Sequence, residues 1–546
     1  MVPRWRYSKI FLPPRTEKTV AAEIFDREYR LGLAELYTGE GRCRVESEVL
    51  LPDYKEEAHR IIRVDTKTRV NSKNTYLQGQ QLFCEVEGVA TFNILYLADR
   101  HGEKEAPTSF LVQENFSYTF KIPSPDDEID SDGLLSHVEV KAENISFKLL
   151  GPRKITMRSD ISILLDLKCN RRFSYYSDLL PEDVQVHGKN VELLQLVTCY
   201  QEDLSFAQTI SLPKGTLPIQ EVCDLDIAMF AQEIRPEEGK VRFRGICDLH
   251  CSYVSQGEES LISFYQPIEF EKAMEAPQCD RDLACRIHLT PNFLKGTTDV
   301  NEEGENKNLL IEVGYTAEIR LFRNESMLVL EDVFSTKTEL QTEKSLQSVE
   351  NLSGLMDFSL TLRDQMKAVQ EGMLRAEAIR ASAEFKNCFV EDGKIVMEGK
   401  LYCRFLGITE AGELTSHDHT QDFTCSVTPD STLLLPQGEE SRVEICGGVR
   451  SVDLEPEGDK ILMRIDLYGS IAVFCRQQLS LLSHIERGEE WGLSEQGILF
   501  VYPEAEESLW DLCKKYRVSP KELCEENEMD GEKIPRVVRM TKQRNK

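Results

Sequence analysis

Three segments of the chain alternate apolar and polar residues with a period of two, and each carries a glycine on its apolar side. The apolar positions are Cys84, Val86, Gly88, Ala90, Phe92, Ile94 and Tyr96 in the first segment, Val241, Phe243, Gly245, Cys247, Leu249, Cys251 and Tyr253 in the second, and Ile395, Met397, Gly399, Leu401, Cys403 and Phe405 in the third. This period predicts a half-buried β-strand in each segment. A glycine within a strand predicts a bulge or a close approach of the backbone.

A second alternating segment follows each of these strands at nearly constant distance and in the same phase. Its apolar positions are Ile155, Met157, Ile161, Leu165 and Leu167 in the first copy, Leu309, Ile311, Tyr315, Ile319 and Leu321 in the second, and Ile461, Met463, Leu467, Ile471 and Val473 in the third. The three glycines are 157 and 154 residues apart, which is the length of an ordinary domain rather than of a short solenoid repeat. We therefore predict three tandem β-rich, sandwich-like repeat domains.

Residues 366–384 challenge this prediction because their composition favours a helix. The repeat places them at the position of residues 60–68, which have the pattern of an extended segment. We predict extended structure here, since the long-range repeat outweighs a local propensity.

The last fifty residues have a different pattern, in which short helices replace most of the alternation. Residues 498–501 and 537–540 predict two short strands. Between them, Ser508 predicts the N-cap of one amphipathic helix, and Ser519 with Glu522 predicts a second helix that begins with a capping box. The predicted order is βααβ, which makes a small α+β module.

Charge and composition exclude several classes of protein. The formal charge of −29 over 546 residues repels phosphate backbones, so we expect no nucleic-acid partner. No apolar run reaches the eighteen or so residues that span a bilayer, and the start of the chain lacks the apolar core of a secretory signal. We therefore predict a cytoplasmic protein without a membrane span, whose sixteen scattered cysteines are reduced.

Three short clusters contain residue types that bind metals. Cys247 and Cys251 flank His250 closely, but both cysteines fall on the apolar side of a predicted strand and His250 falls on the other side. We interpret them as core thiols rather than as ligands. Residues 128–139 resemble an EF-hand loop but lie between predicted strands, which favours an acidic turn, and residues 417–419 are interpreted as an exposed loop. We predict neither a metal nor a cofactor.

The sequence has no phosphate loop, no nucleophile elbow and no HExxH helix. The glycine and the apolar positions recur in the three copies, whereas the outward residues change sign, as at Glu87, Arg244 and Glu398. The copies therefore share a scaffold rather than a site, and we predict that the protein is not an enzyme.

The first copy contains Leu-Pro-Asp at residues 51–53, an extended stretch at 61–65 and a strand that ends in Ile-Leu-Tyr at 94–96. These features resemble the SPOCS repeat family, and the match is looser in the other two copies. The resemblance covers roughly residues 38–485. It implies a role in building the spore envelope of endospore-forming bacteria.

The C-terminal module, which contains SLWDLCKKYRVS at residues 508–519, resembles a LysM domain. Members of that family commonly bind N-acetylglucosamine-containing glycans through the loop after the first strand and the loop before the last. The resemblance implies that six residues bind a partner or a glycan: Glu506, Ser508, Trp510, Asn527, Met529 and Ile534. Residues 502–507 lack the Gly-Asp of the family, which favours a protein over a sugar. For Trp510, packing within the module is the simpler interpretation and contact with a partner is the alternative.

The resemblances divide the chain into five segments. These are an N-terminal extension (residues 1–37), three SPOCS-like repeats (38–190, 191–340 and 341–490) and a LysM-like module (495–541). They imply a non-enzymatic scaffold in spore envelope and coat assembly, which binds protein partners through its repeats and its module. The implied partner is the coat morphogenetic ATPase SpoIVA, at the forespore surface in the mother cell. A peptidoglycan-binding or cortex-binding protein is the alternative.

Overall fold

The computed structural model describes residues 27–79, 81–99, 106–123, 134–176, 181, 183–257, 260–367, 373–409, 413–429, 433, 435, 440–457, 460–491, 497–504, 507–529 and 534–542. Within these ranges the chain is mainly β, as predicted, with twenty strands and two short helices.

Eighteen strands form three groups of six along the chain. The first group is β1 (Arg27–Leu50), β2 (Ala58–Gln78), β3 (Gln81–Ala98), β4 (Ala106–Ile122), β5 (Leu134–Gly151) and β6 (Lys154–Tyr176). The second is β7 (Val184–Ser211), β8 (Ile219–Glu237), β9 (Lys240–Ser255), β10 (Leu261–Glu275), β11 (Ala284–Asp299) and β12 (Asn308–Ser335). The third is β13 (Thr338–Lys367), β14 (Met373–Glu391), β15 (Lys394–Thr409), β16 (Leu414–Val427), β17 (Glu440–Glu457) and β18 (Lys460–Glu490). The C-terminal elements are β19 (Gly497–Val501), α1 (Leu509–Tyr516), α2 (Pro520–Asn527) and β20 (Val538–Lys542).

Each group of six strands forms two antiparallel three-stranded sheets with the same pairing order. The orders are β1-β6-β5 with β2-β3-β4, β7-β12-β11 with β8-β9-β10, and β13-β18-β17 with β14-β15-β16. The two sheets of a group face each other across one apolar core, because the inward side chains of both sheets are removed from water together. The predicted inward positions of β6, β12 and β18 are all buried, which confirms that part of the pattern.

The glycines on β3, β9 and β15 make room for an aromatic ring. Each lies directly opposite a phenylalanine of the neighbouring strand, in the pairs Gly88 and Phe116, Gly245 and Phe270, and Gly399 and Phe423. A Cβ atom at these glycines would lie 2.3, 2.1 and 2.7 Å from the Cζ atom of the ring. The close approach predicted at each glycine is therefore confirmed, and the phenylalanine ring of the adjacent strand is one of the groups that approach the glycine.

The prediction of half-buried strands is wrong for the second halves of β3 and β9. From Gly88 to the end of β3, and from Ile246 to the end of β9, nearly every side chain is buried. The reason is that outward side chains of these strands contact neighbouring groups: Leu95 of β3 and Val254 of β9 share an apolar cluster, against which Leu406 of β15 also packs.

The first strand begins within the segment assigned to the N-terminal extension. β1 starts at Arg27 and pairs with β6 along its whole length, with a bulge between Glu35 and Tyr37. A bulge shifts the phase of the apolar positions by one residue, which hides a long strand from a search for strict alternation. Similarly, β7 starts at Val184 and β13 at Thr338, a few residues before the predicted limits of the second and third repeats.

Two further predictions concern segments of the third group. Residues 373–384 lie in β14, so the extended structure predicted there is confirmed for the part that the structure describes. The exposed loop predicted at residues 417–419 is wrong, because these residues lie within β16, where Asp418 pairs with Arg404 of β15. The EF-hand-like residues 128–133 lie outside the described residues, and the strands β4 and β5 flank them.

The three groups contact one another in a closed cycle. β4 contacts β8, β10 contacts β14, and β16 contacts β2. Side chains of all three groups also share an apolar cluster, whose members are Leu33, Leu135, Leu194, Leu196, Phe322, Leu352, Ala472 and Phe474. Among the described residues, no helix has the length and apolarity needed to cross a membrane.

Candidate partner-binding site

The C-terminal module has the predicted βααβ order. β19 pairs with β20, and the two helices lie between them in the chain. Ser508 is the N-cap of α1, since its Oγ accepts a hydrogen bond from the Asp511 N–H at 3.1 Å. Leu512 and Cys513 of α1 are fully buried, as the amphipathic pattern predicted.

The predicted capping box of α2 does not form. Ser519 occupies the N-cap position, but its side chain makes no capping hydrogen bond. Its Oγ instead donates to Oε1 of Gln185 at 3.2 Å, a residue of β7. The hydroxyl group is thus used to join the module to the second group of strands.

The core of the module includes a side chain from the rest of the chain. Phe334, near the end of β12, packs in one cluster with Val501, Leu512, Cys513, Val518, Leu523, Val538 and Met540. We call this surface of the second group, formed by Gln185, His187, Asp332 and Phe334, the docking site.

Trp510 of α1 contacts three of the four residues of the docking site. Its ring lies edge-on to Phe334, with the centroids 5.0 Å apart, and its centroid is 5.2 Å from that of His187. Its Nε1 donates a hydrogen bond to Oδ2 of Asp332 at 2.9 Å. Trp510 therefore contacts the body of its own chain in addition to packing on the core of the module.

A bulge in β12 and an ion pair with Lys514 position Asp332 for its contact with the module. The register of β12 against β7 shifts between Leu330 and Asp332, and Asp332 then lies opposite His187. Lys514 Nζ lies 2.7 and 2.6 Å from the two carboxylate oxygens of Asp332. Burial raises the pKa of Asp332, but the hydrogen bonds from Lys514 and Trp510 outweigh it and hold that pKa below its usual range.

A second tryptophan fixes the connection that leads into the module. Trp491 follows β18, and its Nε1 donates to the backbone oxygen of Ser335 at 3.2 Å. The guanidinium group of Arg517, just after α1, lies 3.5 Å from the centre of the Trp491 ring. The module is therefore held to the second group from two directions.

The structure describes five of the six predicted binding residues, and these five have different surroundings. Glu506 lies outside the described residues. Ser508 is exposed and caps α1, whereas Trp510 lies at the docking site. Met529 and Ile534 are half-buried and pack against the core of the module. Asn527 uses its side-chain amide to hold β20, through hydrogen bonds with the backbone of Arg539.

A cluster of charged residues lies where β2, β8, β14 and β15 meet, and the sequence did not predict it. We call it the central ion-pair cluster; its members are Arg63, Asp65, Lys67, Asp224, Asp226, Arg380 and Arg404. Lys67 of the first group lies 2.9 Å from Asp224 of the second, Arg380 of the third pairs with Asp226, and Arg404 of the third pairs with Asp65 of the first. Each of these pairs joins two different groups.

The opposite charges in this cluster stabilise one another. Burial raises the pKa of Asp224, but Lys67 and Arg380 outweigh it and hold the pKa well below its usual range. Asp224 is therefore an anion at neutral pH although it is largely removed from water. Removing one partner from such a pair leaves an uncompensated buried charge.

His250 lies beside this cluster, on the face of β9 that points away from the core. Its ring lines a cavity of about 50 Å³, and neither ring nitrogen has a hydrogen-bond partner among the described residues. Burial lowers the pKa of His250, so the ring is neutral at pH 7. Cys247 and Cys251 are fully buried in the core on the other face, which confirms their interpretation as core thiols.

No protein-family model, no curated protein and no solved structure matches this chain.

Proposed function

We propose that the protein is a non-enzymatic scaffold for assembly of the spore envelope, built from three SPOCS-like repeats and a LysM-like module. The support for three repeats is that the three groups of six strands pair in the same order and carry a glycine and a facing phenylalanine at the same place. The support for the LysM-like module is its βααβ order, with Ser508 at the N-cap of α1.

The observation that carries the proposal is how firmly the parts are joined. The central ion-pair cluster ties the three groups together, and the docking site holds the module at a fixed place on the second group. A body of this kind presents several surfaces at constant distances from one another, which is what an assembly scaffold requires. The proposed protein partner is SpoIVA, in the cytoplasm of the mother cell at the forespore surface.

The direct test is a binding measurement between the purified full chain and immobilised SpoIVA. We expect saturable binding that is lost when residues 495–546 are removed. Absence of binding by the full chain at any concentration that remains in solution would contradict the proposed partner.

A sedimentation assay separates this proposal from glycan binding. We expect the full chain to stay in the supernatant when purified peptidoglycan is pelleted. Pelleting that N-acetylglucosamine oligomers reverse would instead assign the module to a glycan and reject the protein-binding proposal for it.

A further inference from the structure

We propose that the open edge of β19 pairs with the same strand of a second copy of this chain, in antiparallel orientation. The inference goes beyond the proposed function, because it needs neither SpoIVA nor the spore. It rests on a difference between the two edges of the two-stranded sheet that β19 and β20 form.

The outer edge of β20 is closed by side chains of α2. Asn527 donates to the backbone oxygen of Arg539 at 2.7 Å and accepts from the Arg539 N–H at 2.7 Å. The N–H of Thr541 donates to Oε2 of Glu526 at 3.0 Å. Both backbone groups of Arg539 and the N–H of Thr541 are therefore satisfied without another strand.

The outer edge of β19 has no such cover in the part of the chain that the structure describes. β20 is the only described strand that pairs with it, and no described side chain caps its backbone. Four of its five residues are exposed, including Ile498 at 55% and Phe500 at 60%. The strand contains neither a charged residue nor a proline, which are the usual means of preventing edge-to-edge pairing.

The exposed apolar side chains continue beyond the strand. Tyr502 is 75% exposed and Val537 is 41% exposed. The described hydrogen bonds between the module and the docking site come from Trp510, Lys514 and Ser519, and none of them comes from β19. Docking therefore leaves this apolar edge on the accessible side of the module.

The distribution of charge favours a second copy as the occupant. Residues 497–546 contain ten acidic and ten basic residues, so the whole net charge of −29 belongs to the rest of the chain. Two copies repel each other through their bodies, and the module is the part where they can meet without that repulsion.

The side chains of two such strands are complementary. In an antiparallel pair centred on Leu499, Ile498 lies opposite Phe500 of the second copy, and Phe500 lies opposite Ile498 of the second copy. A pair of an aromatic and a β-branched side chain is favourable in antiparallel sheets. The result is a four-stranded sheet across a two-fold axis, the commonest symmetry of protein dimers. Because five residues span only about 17 Å, the interface is small and the dimer is expected to be weak.

Sedimentation velocity of the full chain over a range of concentrations tests the proposal, with Phe500→Glu as the variant. Glutamate is chosen because residue 500 lies opposite Arg539 of β20, so the new carboxylate gains a partner within the folded module. The matched control is Leu346→Glu, which replaces another exposed apolar side chain, 76% exposed on β13. Thermal melting of each variant shows that it is folded.

We expect the sedimentation coefficient of the unchanged chain to rise with concentration towards that of a dimer. Phe500→Glu should weaken the association by about tenfold or more, and Leu346→Glu should not weaken it. The amides of β19 should also gain protection from hydrogen exchange as the concentration rises, which tests the proposal even if Phe500→Glu fails to fold. A chain that stays monomeric, a dimer without added protection of β19, or an equal effect of both variants would overturn the proposal.

Discussion

The indole Nε1 of Trp510 donates a hydrogen bond to Oδ2 of Asp332 at 2.9 Å, and this bond joins the C-terminal module to β12, the central strand of one sheet of the second group. The two residues are 178 positions apart in the chain. A residue that the sequence suggested for packing or for partner contact thus also fixes where the module sits.

Replacing Trp510 separates the two contributions to docking. Trp510→Phe retains an aromatic ring against Phe334 but loses the hydrogen bond to Asp332, which we expect to cost about 1 kcal/mol of docking free energy. Trp510→Ala loses the ring contacts as well, and we expect a larger loss of about 3 kcal/mol. Small-angle scattering should show a larger radius of gyration for the alanine variant, and the connection between β18 and β19 should become more sensitive to protease. Unchanged scattering and cleavage in Trp510→Ala would show that the indole does not hold the module.

Docking should depend on pH because of Asp332. Its pKa is below the usual range in the docked state, since the hydrogen bonds from Lys514 and Trp510 outweigh burial. Because docking lowers the pKa of Asp332, the contribution of this carboxylate to docking is fully present above the ordinary carboxyl pKa. It is lost as the pH falls through the lowered pKa. We expect the module to undock in acid at a higher pH when Lys514 is replaced by Met. Hydrogen exchange of α1 over a pH series measures this, and identical profiles for both proteins would refute the role of the pair.

The central ion-pair cluster should be far more sensitive to substitution than surface ion pairs. Asp224→Asn leaves the buried charges of Lys67 and Arg380 without one of their partners, and we expect a loss of about 3–5 kcal/mol in the free energy of unfolding. The control is Arg242→Met, which removes an ion pair with Glu237 near the surface and should cost less than about 1 kcal/mol. Urea denaturation of both variants provides the comparison. A loss for Asp224→Asn no larger than that of the control would show that the cluster does not hold the groups together.

The Phe270 ring packs against Gly245, and we expect a side chain at residue 245 to disturb this packing. In Gly245→Ala, the new Cβ atom would lie 2.1 Å from Phe270 Cζ, so the ring must move and we expect a loss of about 1–3 kcal/mol. Gly151→Ala is the matched control, because a Cβ atom there meets no atom within 4 Å. Thermal denaturation should show a lower midpoint only for Gly245→Ala. Equal midpoints for the two variants would mean that the ring adapts without cost.

The features that could be predicted from the sequence are those that a pattern within a few neighbouring residues reveals. The alternation on β6, β12 and β18, and the N-cap of α1 at Ser508, are visible within a few residues, and the structure confirms them. The bulge between Glu35 and Tyr37 breaks the period, so the first part of β1 was assigned to an extension.

Contacts between distant segments could not be predicted in this way. Asp224 and Arg380 occupy positions whose alternation indicates a solvent-facing side chain, and only the packing of three groups buries them together. For the same reason Asp332 has no local feature that marks it as the acceptor for Trp510. The burial of an outward charged residue on an alternating strand is therefore ambiguous until the arrangement of the three groups is known.

The proposed scaffold function is tested most directly by locating the full chain, fused to a fluorescent protein, in sporulating cells of an endospore-forming bacterium. We expect the fusion to be made during sporulation in the mother cell and to form a ring around the forespore. A fusion that stays diffuse in the mother cell, or that is made equally during vegetative growth, would contradict the assignment to the spore envelope.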